Sequence, residues 1–222
     1  MAKSSFAEHL DLVQTQVTGF LRPHGFRRSR RTYHRPTADG LIQVVHLQMA
    51  QSPIGPVYEI LPYRPSLYGK FTVNLGVWIP EVGEYHLGNP RGKTVHEYDC
   101  QIRARLGVLM EPPADRWWVL DDDWPESAGA VLSALEESGL PFLDRFRSRE
   151  AICEEWVEYA EPRGLGPTSR LVVAIIHAVA GRKDAAQLVF TDHYLRTTQE
   201  PHREYLGKLA GRLGFVVPEP AA

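Results

Sequence analysis

Phe71-Thr72-Val73-Asn74-Leu75-Gly76-Val77-Trp78-Ile79 is the stretch that decides the fold. Phe71, Val73, Leu75, Val77 and Ile79 alternate with Thr72, Asn74, Gly76 and Trp78. A period of two is what a strand imposes on its two faces. One face is aliphatic and aromatic throughout, and the other carries a hydroxyl, an amide and an indole. The segment therefore predicts a strand with one apolar face to cover and one mixed, polar face.

Moving toward the N-terminus, Leu41–Gln48 and the shorter Arg30–Arg35 also read as strands, with Ala38-Asp39-Gly40 as the hairpin turn between them. Before them, Phe6, Leu10, Val13, Val17, Phe20 and Leu21 recur at three- and four-residue spacing. That is one apolar helix face, capped by Ser4 or Ser5 and stopped at Pro23. In the other direction, Cys100–Leu106 alternates, with Arg103 and Arg105 outward, and Arg116–Leu120 is a short strand. Its adjacent Trp117 and Trp118 must point to opposite faces, one to the core and one to the surface. Two stretches rich in Pro and Gly, 52–69 and Pro80–Thr94, read as long loops.

After Asp121-Asp122-Asp123 the period becomes helical. One helix is capped by Asp123 and closed by Gly139, and a second begins at Ser148. Leu171–Ala180 and Ala185–Leu195 form a helical hairpin, and a last helix runs from Pro201 to Gly214. Strands do not alternate with helices, so a parallel doubly wound fold is disfavoured. The fold class predicted is α+β. It comprises an antiparallel sheet of about five strands, one N-terminal helix packed on it, and a helical C-terminal portion. The expected organisation is an α+β domain over 1–121 and a helical region over 122–222 packed on the first.

The 222 residues carry 25 Lys and Arg against 27 Asp and Glu, a net charge of −2. The balance is uneven. Residues 1–107 hold 13 basic and 8 acidic side chains, net +5, and residues 108–222 hold 12 and 19, net −7. This asymmetry argues against nucleic-acid binding by the whole chain, and it permits either an anionic partner on the first half or attraction between the halves. No apolar run reaches the ~18 residues of a membrane helix, and Met1–Ser5 does not open a secretory signal. Two cysteines, Cys100 and Cys153, are too few for a disulfide scaffold. The expectation is a cytoplasmic globular protein with no membrane contact.

Six separated motifs occur in order: Gly25-Phe26-Arg27-Arg28, Thr32-Tyr33, Ile42–Gln48, Phe71–Val77, Cys100–Gly107 and Asp115-Arg116-Trp117-Trp118. Together they resemble a bacterial family catalogued as domain of unknown function 4304, over about residues 5–120. The resemblance implies no activity, cofactor or site residue.

Catalytic signatures are absent. The chain has no phosphate loop, dinucleotide fingerprint, Gly-x-Ser-x-Gly elbow or His-Glu-x-x-His. His177 and His193, on neighbouring helices, are better read as ordinary helix residues than as ligands. Asp121-Asp122-Asp123 is better read as a solvated capping turn. No cofactor and no metal site is expected. Two features remain. Arg22, Arg27, Arg28, Arg30, Arg31 and Arg35 fall within fourteen residues with no acidic residue among them, and Tyr33 beside them can stack. The polar sheet face offers Asn74, Trp78, Arg103 and Arg105, joined by His46 and Gln48 if Ile42 and Val44 share that face. The candidate binding residues are thus Arg28, Arg30, Arg31, Tyr33, His46, Gln48, Asn74, Trp78, Arg103 and Arg105.

The reading is a non-enzymatic binding or interaction protein that uses the polar face and the long loops, with a protein or a small anionic ligand as partner. Two alternatives stay open. One is a hydrolase or nuclease-like enzyme of unrecognised type, with Glu97 and Asp99 as its sequence-local carboxylates. The other is an anion- or nucleic-acid-binding module built on the Arg cluster.

Overall fold

The computed structural model describes residues 4–50, 67–87, 94–158 and 169–218. Helix α1 spans Ser5–Leu21, with Ser4 at its N-cap accepting the Ala7 N–H. Leu10, Val13, Val17 and Leu21 make its buried stripe. Gln14 lies in the same stripe and is satisfied twice: its Nε2 donates to the Arg30 carbonyl, and its own carbonyl accepts the Tyr33 hydroxyl at 3.0 Å. The chain reverses after α1 through Gly25, at φ +86°.

Strands β1 (Arg27–Ser29) and β2 (Thr32–Pro36) form a tight hairpin with Arg28 opposite Tyr33 and Ser29 opposite Thr32. A single strand over Arg30–Arg35 was expected. Arg30 and Arg31 instead make the turn, with Arg30 at φ +56°. Nothing in an arginine announces a left-handed conformation, so composition hides this turn. Strand β3 (Ile42–Met49) follows a turn containing Gly40 at φ +78°, and β4 covers Lys70–Trp78. Of the expected loop 52–69, residues 52–66 lie outside the described residues. The second expected loop is helical in its first half: α2 (Pro80–Val82) leads into a π-helical turn, Gly83–Leu87. Its residues 88–93 lie outside the described residues. Then come β5 (Ile102–Arg105), α3 (Leu106–Leu109) and β6 (Trp118–Val119).

The sheet is antiparallel, in the order β1-β2-β3-β4-β5, with β6 paired to the start of β4: Phe71 faces Trp118 and Lys70 faces Val119. Helix α4 (Trp124–Ala134) does not stop at Gly139 as expected. It passes through a π-helical turn, Leu135–Gly139, into α5, Leu140–Asp144. Asp123 occupies the N-cap without a side-chain bond, and Asp121 Oδ1 accepts the Asp123 N–H instead. Helices α6 (Arg149–Glu158), α7 (Ser169–Val179), α8 (Lys183–Arg196) and α9 (Glu200–Leu213) complete the chain. Among the described residues no helix is long and apolar enough to cross a membrane.

Two compact units result. The first comprises Met1–Arg35, Gln43–Gly76 and Arg103–Asp144, and the second Pro36–Ile42, Val77–Ile102 and Arg145–Ala222. The units interleave along the chain, and α4 and α5 fall in the same unit as α1. In the first unit α1 packs on α4. Gly139 lets the π turn approach the sheet, because a β-carbon there would sit 3.1 Å from Leu106 and Leu135 and 3.6 Å from Leu75. Gln43, fully buried in β3, donates to the Leu143 carbonyl and accepts from Arg35 Nε at 2.6 Å. Arg35 continues to Asp144 at 2.6 Å and lies over the Phe26 ring.

In the second unit the expected helical hairpin is α7 and α8, turned at Gly181 and tied by Arg170 and Asp192 at 3.2 Å. Its polar fastening is Arg149. The guanidinium grips both oxygens of Glu81 at 2.6 and 2.7 Å and also donates to the Asp39 carbonyl, while the Arg149 N–H reaches Asp39 Oδ2 at 2.6 Å. Glu81 is only 7% exposed. A bidentate guanidinium meets both oxygens of this buried side chain.

Two stability outcomes follow from this packing. Leu75→Ala should cost about 2–5 kcal/mol in a urea melt, through lost burial and a residual cavity. Glu81→Ala leaves the half-buried Arg149 guanidinium with Asp39 alone and should cost about 3 kcal/mol, whereas the same melt on Glu84→Ala, an exposed neighbour, should change by less than about 0.5 kcal/mol.

Candidate functional site

From Phe71 to Trp78, β4 is buried on both faces. Its polar residues must therefore bond inside the protein. Thr72 Oγ1 donates to the Arg116 carbonyl at 2.9 Å. Asn74 Nδ2 donates to Gln48 Oε1 at 2.7 Å, and Arg105 Nε points at Asn74 Oδ1 at 3.4 Å. The Asn74–Gln48 bond puts Gln48, His46, Val44 and Ile42 on the face of Asn74, since alternation couples the four. Next to this group on the same face, Thr32 Oγ1 and His46 Nδ1 bond at 3.0 Å.

Arg105 is the exposed end of the network. Its Nη1 pairs with Asp115, its Cζ lies 5.3 Å from the centre of the Trp117 ring, and Trp117 Nε1 donates to Asp115 Oδ2 at 3.4 Å. The hydrogen bond from Arg105 is the main reason the Asp115 carboxyl is held below the usual carboxylate range. The Arg105 side chain is 32% exposed, and its Nη2 has no protein partner among the described residues. The arrangement is a guanidinium laid on an indole, anchored from below by a buried amide, with one donor edge open. Chemically, a donor edge of this kind can hydrogen-bond a carboxylate or phosphate oxygen.

The structure thus brings Gln48, Asn74 and Arg105 into one hydrogen-bonded chain and places His46 beside it. Arg103 is exposed on β5. Other candidates are elsewhere. Tyr33 is 1% exposed, its hydroxyl held by Gln14 and Thr18, so it cannot stack on a ligand. Trp78 is buried, and its ring occupies the space a side chain at Gly83 would need. Arg28 and Arg30 are exposed, while Arg31 is half-buried with Nη1 3.9 Å from Met49 Sδ. Asp115 and Trp117 were missed as site residues. The alternation at Trp117-Trp118 showed that one indole faces out, and the pairing of Trp118 with Phe71 at 5.9 Å shows which. Of the carboxylates in the enzyme reading, Asp99 accepts the His96 N–H at 2.7 Å and so caps its own turn. Among the described residues no three His, Cys, Asp or Glu side chains converge as metal ligands. Cys100 and Cys153 are buried and form no disulfide, and burial pushes the Cys153 thiol up.

The fold and cluster fall within one recognised family: the chain belongs to that described as Domain of unknown function (DUF4304), matched over residues 17–145. The matched span reaches the end of α5 and contains the whole Gln48–Asn74–Arg105–Asp115–Trp117 chain. No curated protein and no solved structure matches the sequence.

Replacing Asn74 by Ala leaves Gln48 without its donor and Arg105 without its anchor. Chemical denaturation should show a loss of about 1–3 kcal/mol.

Proposed function

We propose that this protein is a non-enzymatic binding protein of the cytoplasm, and that its partner is a small anionic ligand or a protein segment presenting a carboxylate to the polar face at Arg105. The supporting observation is the open donor edge of Arg105 over Trp117, held in place by buried Asn74. A guanidinium fixed in this way loses little freedom when a carboxylate arrives, so more of the interaction survives as affinity. Asp115 is the internal competitor. It is itself largely exposed and is free to yield Nη1 to an incoming oxygen. Two buried cysteines that form no disulfide are compatible with a reducing compartment.

A second reading has its own observation. Arg22, Arg27, Arg28 and Arg30 are exposed and make no ion pair among the described residues. They suit a polyanion, whose binding would weaken steeply with salt.

The test is calorimetric titration with citrate, glutarate and inorganic phosphate against the intact protein, Arg105→Gln and Trp117→Ala. Saturable binding of at least one probe is expected, weakened about tenfold or more by Arg105→Gln, equivalent to about 1.4 kcal/mol. Binding unchanged in Arg105→Gln, or none with any probe, overturns the reading. Heparin binding abolished by Arg28→Gln with Arg30→Gln, but not by Arg105→Gln, favours the second.

A further inference from the structure

Helix α9 is docked within its unit by imidazole nitrogens. Toward α8, His202 Nε2 lies 3.3 Å from His193 Nε2, with the ring planes near perpendicular at 87°. Two neutral rings make this contact as N–H···N, one donating and the other accepting, and it has room for a single proton. Toward the π turn, His86 Nδ1 meets the Tyr205 hydroxyl, and the same hydroxyl lies 3.3 Å from the His86 carbonyl. Tyr205 in turn stacks on His202, at 5.9 Å between centres. The second nitrogen of His86, Nε2, is buried without any partner. The rest of the docking is apolar or uncharged in its acceptors. Leu206, Leu209 and Ala210 are buried, Phe215 stacks on Phe190 at 4.7 Å, and Arg212 donates to the Tyr85 and Glu84 carbonyls at 2.9 and 3.2 Å.

We propose that α9 is an acid-released helix: protons taken up by the His193–His202 and His86–Tyr205 contacts undock it and uncover its buried Leu206 and Leu209.

The geometry gives the reason. Once both facing Nε2 atoms of His193 and His202 carry a proton, two donors stand against each other at hydrogen-bond distance. A proton on His86 Nε2 creates a buried donor with no acceptor, and that nitrogen is a tolerable orphan only while it is a bare lone pair. The surrounding charges do not rescue either ring. Helix α7 contributes Arg170, and α8 contributes Asp192, Tyr194 and Arg196, with Asp192 already shared by the two arginines at 3.2 and 2.8 Å. Helix α9 contributes Arg203, Tyr205 and Arg212, and the π turn contributes Glu84 and Tyr85, whose carbonyls are used by Arg212.

Burial first, then His202 and His193, pull the His86 imidazole down to about 4. Burial first, then His202 and Arg170, do the same to His193, with Asp192 opposing. An unfolded histidine takes its proton near pH 6.5. The docked state thus binds fewer protons than the undocked one. Docking is at full strength above about pH 6.5 and is lost as the pH falls from there toward about 4.

Hydrogen exchange of the intact chain, read as protection factors across that range, tests the proposal. Amides of 200–213 should lose protection by about tenfold or more between pH 7 and about pH 4.5, while those of β3 and β4 keep theirs. Binding of a hydrophobic dye should rise over the same interval. His86→Phe combined with His202→Gln removes the buried orphan and the imidazole that faces His193, so the transition should disappear or move below about pH 4. If that double variant fails to dock near neutral pH, His202→Gln alone is read, because its amide can still bond His193, and a shift of the midpoint toward acid is expected. The proposal is overturned if α9 loses protection only together with β4, if it stays protected down to about pH 4, or if the docked variant releases at the wild-type pH.

Discussion

Strand β4 has no solvated face, and much of the first unit is arranged around that constraint. An antiparallel strand commonly leaves one face to water, and its alternating polar residues then need no partners. Here Thr72 and Asn74 are enclosed, so each has to find an acceptor or donor inside the protein. Thr72 takes the Arg116 carbonyl, which fixes the segment leading into β6. Asn74 takes Gln48 on one side and Arg105 on the other. The candidate site is the outward continuation of that requirement. A buried amide must be satisfied, a guanidinium satisfies it, and the guanidinium's far end reaches solvent over Trp117.

The opposite face of the same sheet uses polar residues differently. Gln14, Gln43 and Arg35 each bond to backbone or side-chain groups that tie helix to strand. Their role is to set position: Gln14 bolts the β1–β2 turn to α1, and Gln43 holds α5. In the second unit Arg149 does comparable work, drawing the turn at Asp39 and the first turn of α2 to the start of α6. Buried polar contacts of this kind add little net stability compared with apolar substitutes, but they discriminate against other packings, since each alternative strands a charge or an amide.

The two proposals draw on opposite properties of buried polar groups. At Arg105 a permanently charged group is held still and half open, which favours capture of an anion. At α9 titratable rings are held neutral, which makes the docking conditional on proton activity. The span that defines the family, residues 17–145, contains the first feature and only His86 of the second.

The α+β class, the strand at Phe71–Ile79, helix α1 and the α7–α8 hairpin were legible because each rests on local periodicity over eight or more residues. So was the coupling of His46 and Gln48 to the polar face, because alternation leaves no freedom once one member is placed. Tertiary structure alone decided the rest. Arg30 adopts a left-handed turn that its residue type disfavours, because β1 and β2 require a two-residue connection there. Gly139 looks like a helix stop and instead serves close packing, since what matters is the distance to Leu106 and Leu135. Tyr33 and Trp78 carry polar atoms that suggest surface positions, yet both are buried: the α1 backbone at Gln14 reaches the Tyr33 hydroxyl, and the Trp78 ring fills the space that Gly83 leaves. The partners that make Arg105 a site, Asp115 and Trp117, sit ten and twelve residues away across a turn. Local sequence fixes which way a side chain points along its own strand, and only the packing of distant segments fixes what it meets there.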